Sequence, residues 1–122
     1  MSDKIVLIVD DEEKLVELTA DLIEAMGHEV EVHTSSEKAL VSFCANPQNY
    51  KLVITDHTMP GLSGVDLILK IREYSLDIPC ILTTGAVLSE VEELFSADPN
   101  LTYLKKPYRR ANLQELLEKY TS

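Results

Sequence analysis

The chain has 122 residues, room for one domain over 1–122 and little else. Apolar residues make up 45%, with only four Gly and five Pro, so a packed core is expected rather than disorder. A formal charge of −10 argues against nucleic acid or an anionic membrane surface as a direct partner, and no apolar run approaches the roughly 18 residues of a membrane span.

Ile5 to Val9 is a continuous apolar run, the pattern of a strand covered on both faces. It is too short for a secretory signal and runs at once into acid. Leu15, Leu18, Leu22 and Met26 then recur at helical spacing, with Gly27 as a stop. Glu29 to His33 alternates polar and apolar residues, which suits a strand at a sheet edge. Thr34, Ser35 and Ser36 offer caps for a helix carrying Ala39, Leu40, Val41 and Phe43, and Asn46-Pro47 ends it. Leu52 to Thr55 is a third strand, followed by a loop from Asp56 to Gly61 and a helix with Val65, Leu67, Ile68 and Ile71. Pro79 to Thr83 is a fourth strand and Val87 to Phe95 a short helix; Leu101 to Leu104 is a fifth strand and Ala111 to Tyr120 the last helix. Cys44 and Cys80 stand in apolar stretches without metal or redox spacing, so both are expected as buried thiols in a cytoplasmic setting.

Strands alternating with helices imply a doubly wound α/β fold with a five-stranded parallel sheet and five helices. In such sheets ligands bind beyond the carboxyl ends of the strands. There the chain places Asp10 and Asp11 after the first strand, Asp56 after the third, Thr84 after the fourth, and Lys106 with Pro107 after the fifth. Any one of these could be a cap or a surface charge. Together they bring three carboxylates, a hydroxyl and an ammonium to one edge. Crowded carboxylates call for a hard cation, and Mg²⁺ favours oxygen ligands shared with a phosphate. A carboxylate between a metal and a lysine can act as a nucleophile toward a phosphoryl group.

The segments LIVDDEE, LVITDHTMPGLSG, ILTTG and YLKKPY occur in order across the chain, and on them it resembles the receiver domains of two-component response regulators. That resemblance implies a flavodoxin-like, CheY-like sheet in the order 2-1-3-4-5. It implies that Asp56 is the phosphoacceptor, with Mg²⁺ held by Asp11, by Asp56, by the Thr58 carbonyl and through water by Asp10. Thr84 would be the switch hydroxyl, with Thr83 the last strand residue, and Tyr103 the switch aromatic. The Lys106-Pro107 bond would be cis. The phosphoryl donor would be a histidine kinase or a histidine phosphotransfer protein, docking partly on the first helix around Leu15. The output face would be the fourth helix, fifth strand and fifth helix, which a phosphorylation-dependent dimer could also use. Such a domain is a switch that assists its own phosphorylation and dephosphorylation, not an enzyme. DHTMPGLSG further resembles receivers fused to hybrid sensor histidine kinases. SADPNLTY departs from the Gly-Ala turn frequent before the fifth strand.

Other readings fare less well on the residues. A flavin module wants a hydroxyl- and glycine-rich phosphate loop where Asp10-Asp11-Glu12 stands, and a haloacid-dehalogenase-type phosphatase wants Asp where Thr58 stands. A phosphate-independent interaction module of the same fold would be expected to lack one of the acids or the lysine, and all are present. His57 is expected as a solvated loop residue, and His28 and His33 as strand-edge residues rather than a metal pair.

Overall fold

The computed structural model describes residues 4–85, 92–93 and 96–121. Five parallel strands form one sheet in the expected order, β2-β1-β3-β4-β5. They are β1 (Ile5–Val9), β2 (Glu29–His33), β3 (Tyr50–Asp56), β4 (Cys80–Thr84) and β5 (Leu101–Lys105). Among the described residues there are four α-helices rather than five: α1 (Glu13–Ala25), α2 (Ser36–Ala45), α3 (Gly64–Ile71) and α4 (Arg110–Thr121). The helix expected over 87–95 falls mostly outside the described residues.

Strand alternation divides the core into two layers. Leu7, Val9, Val53 and Leu82 point one way and pack with Phe43 of α2 and Leu67 and Ile68 of α3. Val6, Ile8, Ile54 and Ile81 point the other way, toward Val16, Ala20 and Ile23 of α1 and Leu113 and Leu117 of α4. Central strands buried on both faces explain the unbroken apolar runs, and the edge strand β2 explains the alternating one. Ser35 caps α2 by accepting from the Lys38 N–H at 3.3 Å, and Ser63 caps α3 by accepting from Asp66 at 3.1 Å.

The helix expected from Leu15 to Met26 is present as α1, and the sheet decides which of its residues are buried. Its buried residues are Val16, Thr19, Ala20 and Ile23, whereas Leu18 is 66% exposed. Leu18 is therefore turned off the sheet, while Leu22 and Met26 pack half-buried against the edge of that core. β4 also runs one residue further than expected, so Thr84 and not Thr83 closes it.

At the far edge, His33 ends β2 and His28 stands just before it. On β2, Glu31 Oε2 accepts from the Ser42 hydroxyl at 2.7 Å, the Tyr50 hydroxyl at 2.9 Å and His33 Nε2 at 2.8 Å. Burial pushes the Glu31 carboxyl up, but these bonds outweigh it and hold the group below its ordinary value. His28 Nδ1 meets Lys51 Nζ at 2.9 Å. Both cysteines are free, and burial pushes the Cys80 thiol up to about 12, an inert thiol.

Candidate functional site

Register sets the site. Val9 pairs with Thr55, so Asp10, one residue on, stands beside Asp56; Asp56 pairs with Thr83, and Thr83 with Leu104. Paired residues leave a sheet on the same face. A row of polar tips thus continues the α1/α4 layer of the core beyond its last apolar residues.

Asp10 and Asp56 are both 7% exposed, while Asp11 lies in solvent. The Asp10 N–H donates to the His33 carbonyl at 3.1 Å, and its Oδ1 accepts from the Glu12 N–H at 3.0 Å. The Lys106 N–H donates to the Thr84 carbonyl at 2.7 Å, extending the β4–β5 ladder, and the Lys106-Pro107 bond is cis. Lys106 Nζ then reaches Asp56 Oδ1 at 3.0 Å and Asp10 Oδ2 at 3.7 Å.

Burial pushes the Asp10 carboxyl above its ordinary value; the neighbouring Asp56 and Asp11 charges add to this, and the Glu12 N–H and Lys106 oppose it. Burial alone would pull Lys106 down, but its hydrogen bond to Asp56 and the Asp56 and Asp10 charges raise it overall. One oxygen each from Asp10, Asp11 and Asp56 lies within 4.8 Å of the others. An all-oxygen, net-negative cluster whose repulsion Lys106 only partly offsets fits a hard divalent cation and suits a soft one poorly.

The remaining expected residues fall around this core. Thr58 is exposed in the loop after β3. Thr84 is buried, and Tyr103 packs against the cluster that contains Leu82, so both belong to the other face of the sheet. His57 is not solvated as expected: it is half-buried, and its Nδ1 is shut off from solvent with no hydrogen-bond partner among the described residues. The cause is the return of the chain, since the Gly64 N–H donates to the His57 carbonyl at 2.8 Å and brings α3 down on the loop. Thr83 is a residue the sequence reading passed over. Its hydroxyl donates to Asp56 Oδ1 at 3.4 Å.

Two glycines shape the loop. Gly61 turns it at φ +77° and Gly64 lets α3 start against β3. A Cβ at Gly64 would lie 2.4 Å from the Asp56 carbonyl oxygen and 2.8 Å from His57 Cα. Backbone cannot yield as a side chain can, so Gly64→Ala is expected to destabilise by about 2 kcal/mol in a denaturant melt.

The family model for the response regulator receiver domain matches residues 6–118. The chain belongs to the response regulator receiver family. The transcriptional regulatory protein FixJ of Rhizobium meliloti is 33% identical to this receiver over 121 residues, 98% of this chain and 57% of FixJ. Hybrid signal transduction histidine kinase L of Dictyostelium discoideum is 28% identical over 94% of this chain and 7% of its own. The receiver therefore spans little more than half, or far less, of such curated relatives. Among solved structures, the response regulator TrrA of Thermotoga maritima in complex with Mg(2+)-BeF superposes with a TM-score of 0.81 and 33% identity, covering 96% of this chain and 98% of that one. Receiver domains of response regulators interact with histidine kinases, and no helix among the described residues is long and apolar enough to cross a membrane.

Proposed function

We propose that the receiver is a phosphorelay switch whose acceptor is Asp56, loaded from the phosphohistidine of a histidine kinase or histidine phosphotransfer protein. A carboxylate oxygen of Asp56 attacks phosphorus, the phosphorus–nitrogen bond breaks, and its electron pair returns to the imidazole. Lys106 is already beside the nucleophile to take up charge on the transferring oxygens. The Asp11 and Asp56 carboxylates and the Thr58 carbonyl, with Asp10 through water, would hold Mg²⁺, which when bound supplies further positive charge at those oxygens. Thr84 then hydrogen-bonds the new phosphoryl group and Tyr103 follows it inward, changing the surface of β5 and α4. A phosphorylation-dependent dimer would form through that surface. The domain assists its own loading and hydrolysis and turns over no separate substrate.

Donor docking has a structural candidate. A groove of about 760 Å³ runs from Lys106 and Pro107 along α1, lined by Leu15, Leu18, Leu22, Tyr108 and Leu113. Exposed Leu18 and half-buried Leu15 thus lie beside the approach to Asp56, as an apolar seat for a donor helix. Donor and receiver would meet in the cytoplasm, where thiols such as Cys44 stay reduced.

The observation that carries this reading is the 3.0 Å contact of Lys106 with Asp56 inside the acid cluster. Incubation with acetyl phosphate and Mg²⁺ is expected to add one phosphoryl group by intact mass, and Asp56→Asn to abolish the gain. No gain in the native chain, with a competent donor kinase also supplied, would overturn it.

A further inference from the structure

We infer that Thr83 is a positioning residue for Asp56: its hydroxyl holds one carboxylate oxygen so that the other is presented to the incoming phosphoryl group. The inference rests on Asp56 being the acceptor and adds a residue to that site. β3 and β4 pair Asp56 directly with Thr83, so both side chains leave the sheet together. Both are buried, Thr83 at 4% exposure, and the partner its hydroxyl finds is Asp56 Oδ1 at 3.4 Å. Lys106 Nζ holds that same oxygen at 3.0 Å. Thr84 leaves on the opposite face, with Leu82 and Tyr103. The adjacent threonines therefore divide the work. Thr83 addresses the carboxylate before transfer, and Thr84 is left for the phosphoryl group afterwards.

A carboxylate has two chemically equivalent oxygens on a broad terminal torsion. Two donors on Oδ1 remove the equivalence and leave the lone pairs of Oδ2 for phosphorus. In the transfer the Oδ2–phosphorus bond forms, and the bond from phosphorus to the donor breaks with its electron pair leaving on the donor. Oδ1 becomes the carbonyl oxygen of the mixed anhydride and still accepts from Thr83. The contact therefore persists through the step. Its length decides what it contributes. At 3.4 Å it exceeds the usual span of O–H···O bonds, so it grips ground-state charge weakly. Orientation is the larger effect.

The test compares phosphorylation by acetyl phosphate at saturating Mg²⁺ in the native chain, Thr83→Val and Thr83→Ser, with the ¹³Cγ resonance of Asp56 recorded in the metal-free proteins. Val is expected to lower the maximal rate about three- to tenfold, short of the roughly 100-fold that a 1 Å misplacement can bring. The half-saturating donor concentration should not change. Ser should restore the rate to within about twofold, and the carboxyl resonance should move in Val and return in Ser. If Val does not fold, Thr83→Cys, similar in size and a poorer donor, takes its place in the comparison. A rate in Val equal to or above the native one overturns the inference, and so does a lowered rate that Ser fails to rescue, since packing alone would do that. In both cases native loading of Asp56 leaves the acceptor reading standing; a native chain that takes up no phosphoryl group removes both.

Discussion

Lys106→Met is expected to slow phosphoryl uptake on Asp56 by about 100- to 1,000-fold, the usual loss when one preorganised charge is removed from a transfer site. Met keeps most of the stem that packs beside Pro107, so the loss is electrostatic and not a collapse of the loop. The native ammonium stands 3.0 Å from Asp56 Oδ1 and 3.7 Å from Asp10 Oδ2, with the side chain 23% exposed. No movement is needed for it to serve when the phosphoryl group arrives. The same substitution has a signature in stability. Burial already holds Asp10 above its ordinary 3.8, with Lys106 pulling it back down. A carboxyl whose folded value is raised binds its proton more readily when folded, so stability is lost as the pH rises from the unfolded value through the folded one. Without Lys106 this loss grows. Metal-free Lys106→Met should therefore gain more stability than the native chain as the pH falls from about 7 toward the ordinary carboxyl value of 3.8. Loading by acetyl phosphate within tenfold of native, or parallel melting curves across that range, would sink the prediction.

The features legible in the sequence were those fixed by short-range pattern. Ile5–Val9 and Cys80–Thr84 lie in strands buried on both sides, so their apolar runs announced them. The acids and lysine were legible because each follows its strand directly, and parallel strands bring those ends together. Other features depended on tertiary parity. Leu18 and Ala20 sit on the same helix, and only the sheet beneath decides that Ala20 is buried and Leu18 exposed. The preference for large apolar residues in a core misleads there, because Leu18 lines the groove beside the site. Thr83 and Thr84 differ in sequence by one step, but their faces follow from the β3–β4 register, which no local pattern states. The burial of His57 has no local signal, because the return of Gly64 over it is a contact made by α3 and not by its own loop.

Arg72 was invisible in the same way, and its removal is expected to have the largest effect on stability. Its Nε donates to Asp98 Oδ2 at 2.7 Å and its Nη2 to Oδ1 at 3.4 Å, across 26 residues of sequence. Nη1 donates to the carbonyls of Ser75 at 3.1 Å and Ile78 at 2.8 Å, and Nη2 also to that of Asn100 at 3.3 Å. One planar fork thus ties the exit of α3 to the residues leading into β4 and β5, with both side chains of the pair only 12% exposed. Asp98 lies in the SADPNLTY segment, which leads into β5. Among the described residues, Arg72→Met leaves a buried carboxylate with only the Asn100 N–H at 3.0 Å and takes the guanidinium from the Ser75 and Ile78 carbonyls, while the Asn100 carbonyl keeps the Cys80 N–H at 2.9 Å. Breaking one side of a buried pair costs about 3 to 5 kcal/mol, which for a domain of this size is a fall in Tm of roughly 10 to 20 °C. Lys at this position restores charge without the fork, so Arg72→Lys should recover only a minor part. Adding Asp98→Asn to Arg72→Met removes the stranded charge and should recover more than Lys does. The clamp holds the strands at the ends opposite Asp56. Acetyl phosphate loading of Arg72→Met, measured well below its own melting point, should accordingly stay within about threefold of native. A Tm within about 3 °C of native would show that the network adds nothing, and a large loss of loading in the folded variant would show that the two ends of the sheet are not independent.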